Sequence, residues 1–175
     1  NTSSVASLTK SETKAPKISV STLKRLEEVE MTRQISEMEN ELWKVIFGNQ
    51  AKIRFPVEEV KQQLASSKAY EGRAEVLRAL NKICNLAGNK KSKRTQTLFD
   101  TALADCVSLL TQIDQDRELV SAAIKEAVKR STVKSTDGHQ RILAHARKIN
   151  AAARSVEALR HEFIQANQGL VVLIA

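Results

Sequence analysis

Aromatic side chains make up only 3% of this 175-residue chain, and the residues that punctuate structure are scarce as well, with five Gly and two Pro. Sheets draw on aromatic and β-branched residues and hairpins need turn residues, so the shortage argues against a β fold and for helices. Cysteine is nearly absent too. Cys84 and Cys106 stand in separate expected helices, without a CxxC pair or a His at ligand spacing. They read as small buried apolar residues in a reducing compartment, not as a disulfide or a metal site. No apolar run reaches the ~18 residues of a membrane span. The first residues, where Lys10, Lys14 and Lys17 are scattered through a Ser/Thr-rich stretch, contain no signal-peptide core. A soluble cytoplasmic protein without a membrane partner is expected.

The groups that carry catalysis are equally thin. His139, His145 and His161 do not share one helical face at ligand spacing, and no Ser, Cys or Asp arrangement completes a nucleophilic site. Paired acids such as Glu39 and Glu41 fall on the solvated face of an amphipathic segment, and there is no Gly-rich phosphate loop. The expectation is a protein that is not an enzyme, with no cofactor, metal or small-molecule substrate.

Positive charge, by contrast, is plentiful. A formal net charge of +8 and an isoelectric point near 9.7 point to a polyanionic partner, of which nucleic acid is the commonest. Lys90, Lys91, Lys93 and Arg94, in "NKKSKR" at residues 89–94, form the densest group and are expected in a loop. Lys125, Lys129, Arg130, Lys134, Arg141, Arg147, Lys148, Arg154 and Arg160 give the C-terminal third a positive balance. Lys90, Lys91, Lys93, Arg94, Arg147 and Lys148 are the candidate phosphate contacts, which supply salt-dependent, sequence-independent affinity.

Hydrophobic periodicity organises the rest. Residues 1–20, opening with "NTSSVASLTKSETKAPKIS", are polar and aperiodic and read as a flexible arm or linker. Ser21 or Thr22 then caps a helix over 22–47, whose stripe is Leu23, Leu26, Met31, Ile35, Met38, Leu42, Val45 and Ile46 and whose opposite face is acidic. Gly48 and Asn49 are expected to stop it in left-handed conformation. A second helix begins at Pro56 with Val57, Val60 and Leu64 inward, and a third spans 70–86 and ends at Gly88. A long helix starts near Thr95 or Thr97 and carries Leu98, Leu103, Leu110, Ile113, Val120, Ile124 and Val128, with a break or kink at "DQD", residues 114–116. The stretch 131–139 is a loop, and the last helix runs from Ile142 to the end, its long antiparallel partner being the helix that ends near Arg130. The fold expected is an all-α bundle of about five helices with a long C-terminal antiparallel hairpin and a flexible N-terminal arm.

The last segment, "FIQANQGLVVLIA", changes from one apolar stripe to apolar almost all round, as a helix does when neighbours cover it on several sides. The chain is therefore expected to stop inside a core segment. This segment resembles the first conserved helix of the central domain of primary-type bacterial RNA polymerase sigma factors, where a phrase of the form "EANLRLVVSIA" recurs. Ala166, Asn167, Leu170, Val171, Val172, Ile174 and Ala175 match it, while Gln165, Gln168, Gly169 and Leu173 depart from it. Upstream, "EEVEMTRQISEMENELWKVI" at residues 27–46 is similar to the family's "EEEVELAKRIE" helix that precedes the central domain. The family carries a variable helical insertion between the two, which residues 50–155 would supply.

The resemblance implies an N-terminal portion of a transcription initiation factor that binds RNA polymerase core enzyme and helps direct it to promoter DNA. Its parts would be the arm at 1–20, a helical domain at 21–155 and the start of the central domain at 156–175. The family's aromatic promoter-melting segment, its helix-turn-helix and its Arg-Tyr motif ahead of the first helix have no counterpart in these residues. The aromatics that are present read as core. The competing reading is a non-enzymatic helical bundle for interaction or oligomerisation, possessing nonspecific nucleic-acid affinity.

Overall fold

The structure is a computed structural model that describes residues 25–66, 70–88, 92–132 and 139–172, with the side chains of 131–132, 139–142 and 168–172 left undescribed. It is all-α. The elements in chain order are α1 (Arg25–Phe47), α2 (Arg54–Ser66), α3 (Arg73–Ala87), α4 (Lys93–Ile113), α5 (Glu118–Thr132) and α6 (His139–Val172). The expected N-terminal arm at 1–20 and the cap at Ser21 or Thr22 lie outside the described residues.

The extra helix comes from the break at residues 114–116, which separates α4 from α5 completely. Asp114 is the C-cap of α4, and both of its carboxylate oxygens turn forward onto α5, accepting the backbone N–H groups of Leu119 and Val120 at 2.8 Å each. One side chain thus closes one helix and satisfies two of the unpaired donors that open the next. Arg117 completes the turn in left-handed conformation, with φ 64°.

Other termini differ in detail from the sequence reading. α1 does not end in a left-handed residue; Gly48 continues into a tighter turn, its N–H donating to the Val45 carbonyl at 3.3 Å. A Cβ at Gly48 would lie 3.0 Å from the Lys44 carbonyl oxygen, a tight approach that the missing side chain avoids. Pro56 falls at the third position of α2, still within the first turn where an N–H has no helical partner. α4 begins earlier than Thr95, because Ser92 and Thr95 form a reciprocal cap in which the Thr95 N–H donates to the Ser92 hydroxyl at 3.1 Å. Lys93 and Arg94 are therefore helical, not loop residues.

The core is built from the residues that the helical spacing selects. Val57, Val60 and Leu64 of α2, Val76, Leu80 and Ile83 of α3, and Ala146, Ile149, Ala153 and Val156 of α6 are buried. At the C-terminal end of α1 they meet Leu42, Trp43, Ile46 and Phe47, and the Trp43 and Phe47 rings stack with centroids 5.4 Å apart. Each of the larger side chains contributes about 1.5–3 kcal/mol by leaving water. Leu98 is an exception: it is half exposed, and Phe99 next to it takes the buried position.

Three extensive pairings hold the bundle: α1 with α6, α2 with α5, and α3 with α4. α5 does pack on α6 as an antiparallel hairpin, but α6 lies more extensively against α1. The α1–α6 pair is antiparallel, since Arg160 bonds to Glu39 while His145, nearer the start of α6, bonds to the backbone of Ile46, nearer the end of α1. α1 and α4 are antiparallel as well, through Thr111 to Asn40 at 2.8 Å and Gln50 to Gln96 at 3.2 Å.

These levels explain where the α1 stripe fails to be buried. α4 ends at Ile113, level with Asn40, and beyond that point α6 continues alone beside α1. Met31, Ile35 and Met38 are half-buried there, Leu159, Phe163, Ala166 and Asn167 are half-buried on α6, and Leu26 is 83% exposed. The expected division at 155/156 falls within α6, a single helix whose Val156 is fully buried in the common core. Among the described residues no helix is long and apolar enough to cross a membrane.

Candidate nucleic-acid interface

The alternation of chain direction sorts charge along the bundle. One pole gathers the C-terminal end of α1, the 48–53 turn, the N-terminal ends of α2, α4 and α6, and the C-terminal ends of α3 and α5. The Gln50–Gln96 bond lies there, as does a small cleft lined by Ile46, Asn49, Lys52, Phe55, Pro56, Ala127, Arg130 and His145. Lys52, Arg54, Lys93, Arg94, Lys129, Arg130, Arg147 and Lys148 all belong to this end.

The opposite pole is acidic. Glu71 and Asp116 line one groove there with Tyr70, and Asp114 and Glu118 lie close by. Burial, followed by the carboxylates of Asp116, Glu118 and Asp114, raises the Tyr70 hydroxyl above its usual pKa. The acidic first turn of α1, Glu27 and Glu28, projects past this end.

At the basic pole the Arg130 guanidinium lies over the Phe55 ring, 4.5 Å from its centroid, while Arg130 Nε donates to Glu126 at 2.6 Å. His145 is half-buried behind them. Burial is the largest influence on its imidazole and holds the pKa below the ordinary 6.5, with Lys148 acting in the same direction and a bond to the Ile46 backbone opposing. The shift favours the neutral ring.

Of the six candidate phosphate contacts, Lys93, Arg94, Arg147 and Lys148 are exposed at or near this pole. Lys90 and Lys91 lie outside the described residues. Lys52, Arg54 and the Phe55–Arg130 pair are additions from the structure, because a Phe beside an Arg and a Pro carries no distinguishing pattern in the sequence. The topology brings them together.

The residues matching the sigma-like phrase are placed on the last turns of α6. Ala166 and Asn167 are half-buried, and Asn167 donates from its amide to the Phe163 carbonyl at 3.1 Å. Leu170, Val171 and Val172 continue the helix, whereas Ile174 and Ala175 lie outside the described residues.

Neither metal binding nor thiol chemistry has a visible site among the described residues. No group of three or more His, Cys, Asp or Glu there is placed to hold a metal ion. Cys106 is fully buried, and burial pushes its thiol up to about 12, while Cys84 is shifted upward for the same reason.

No protein-family model matches this chain, and comparison with curated proteins and with solved structures gives no match either.

Proposed function

We propose that the chain is part of a sigma-type transcription initiation factor that works in the cytoplasm, binds RNA polymerase core enzyme and helps direct it to promoter DNA without catalysing a reaction. The observation that carries the reading is the α1–α6 pair. The helices that carry the two segments resembling sigma factors, α1 and α6, are joined by the Glu39–Arg160 ion pair, whose partners stand 121 residues apart in sequence. The intervening α2–α5 then occupy the place of the family's helical insertion.

On this reading the projecting part of the α1–α6 pair, with Leu26 at 83%, Val29 at 63% and Ile164 at 54% exposure, faces polymerase. The basic pole at the far end of the bundle tracks promoter phosphates. Charge of opposite sign at the two poles orients the chain between a protein surface and DNA.

Gel filtration of the chain with purified bacterial core polymerase tests the assignment. Co-elution is expected, with loss of the complex when Leu26→Glu, Val29→Glu and Ile164→Glu are combined. Absence of co-elution overturns it. If the chain instead elutes alone as a stable dimer that this triple variant dissociates, the projecting pair is a self-association surface and the interaction-bundle reading replaces the sigma reading.

A further inference from the structure

The basic pole contains a group that phosphate tracking does not need. Phe55 keeps 40% of its surface in water, although Val57 and Val60 of the same helix are fully buried. The Arg130 guanidinium lies over its ring, and the Arg130 side chain is itself 46% exposed. The bond to Glu126 holds that guanidinium in place at 2.6 Å, so the flat pair is preorganised on two packed helices. Planar guanidinium and aromatic surfaces are the groups on which unpaired bases stack, and such stacking tolerates any base because each has a π-face.

The two sides of the pair differ in charge. On one side the cleft offers Asn49, Lys52 and His145, which supply hydrogen-bond donors and a positive charge. On the other a shallow groove is lined by Glu58, Glu59 and Glu126, facing Lys129 and Arg130, with Glu58 engaged by Lys61 and Glu126 by both cations. Carboxylates repel phosphate, so a strand approaches from the Lys52 side. A duplex keeps its bases stacked inside and gives such a platform nothing to hold.

We propose that the Phe55–Arg130 pair is a stacking platform for an unpaired base, which makes the basic pole a surface for single-stranded nucleic acid in preference to duplex. This rests on the reading that the pole takes nucleic-acid phosphates.

Anisotropy titrations with labelled oligothymidylate, oligouridylate and a duplex of equal length provide the test, with a 2-aminopurine-containing strand reporting stacking through quenching. The wild type is expected to favour the single strands. Phe55→Leu should lose roughly tenfold of the single-strand affinity, the scale of one stacked base, leave duplex affinity unchanged and abolish the quenching. Phe55→Trp should retain both, and unchanged thermal melting of both variants excludes misfolding as the cause. Oligothymidylate and oligouridylate separate DNA from RNA as the strand. Equal affinity for single strand and duplex, together with an unaffected Phe55→Leu, overturns the platform while leaving phosphate tracking in place. No binding of any probe at low salt overturns both.

Discussion

Asp114 and His145 respond to pH in opposite senses. Burial pushes the Asp114 carboxyl from 3.8 up to about 6, against the downward pull of the Leu119 and Val120 N–H groups. A carboxyl raised on folding binds its proton more tightly in the native state, so its contribution to stability is full below about 3.8 and is lost as pH rises through about 6. His145, held below 6.5, binds its proton more tightly in the unfolded chain, so its contribution is full above 6.5 and falls away on acidification. Denaturant titrations at several pH values should show that Asp114→Asn removes the first dependence and His145→Gln the second. Asp114→Ala, which strands two buried N–H groups, is expected to cost about 2 kcal/mol at neutral pH, measured by the shift in urea midpoint. A helix break at "DQD" is legible in the sequence, because Asp is a poor interior residue and no apolar residue falls between Ile113 and Leu119. The forward reach of the Asp114 carboxylate is not legible there, since it depends on the left-handed turn at Arg117.

At the level of elements, periodicity identifies α2, α3 and the first half of α6 because each packs one apolar face against its neighbours. It misjudges the N-terminal half of α1, where the stripe is equally regular but no second helix reaches far enough to cover it. Periodicity reports which face a helix would bury, not how far its neighbours extend. Substitutions should separate the two cases. Leu42→Ala or Ile149→Ala is expected to cost about 2–5 kcal/mol, whereas Leu26→Ser should change stability by about 0.5 kcal/mol or less, both read from thermal or urea unfolding. Sequence order likewise favours the adjacent α5 as the main partner of α6. The Glu39–Arg160 bond and the shared core of Leu42 and Val156 place α6 chiefly on α1 instead.

Across the whole molecule, the net positive charge says nothing by itself about where a polyanion would be met; that depends on which helix ends the topology gathers. Lys93 and Arg94 stand in the first turn of α4, and in space they share a pole with Lys52, Arg54, Arg130 and Lys148, drawn from the 48–53 turn, α2, α5 and α6. Because that end of the bundle gathers several cations, an affinity for nucleic acid there should fall linearly on logarithmic scales of binding constant and salt concentration. Replacing Lys93, Arg94 or Lys148 singly by Ala should weaken binding evenly across sequences and reduce the salt slope by about 1 each, as read from anisotropy titrations at graded salt. Arg78, which is exposed on α3 and paired with Glu75 toward the acidic pole, should leave the slope unchanged when replaced by Ala. Competition for core polymerase with an intact sigma factor tests the sigma reading. The labelled chain is bound to purified bacterial core enzyme, and an intact primary sigma factor is then titrated in. Stoichiometric displacement of the chain is the predicted result, because both would occupy the same surface. A chain that stays bound at saturating sigma factor, or that never binds core, rules out the sigma reading.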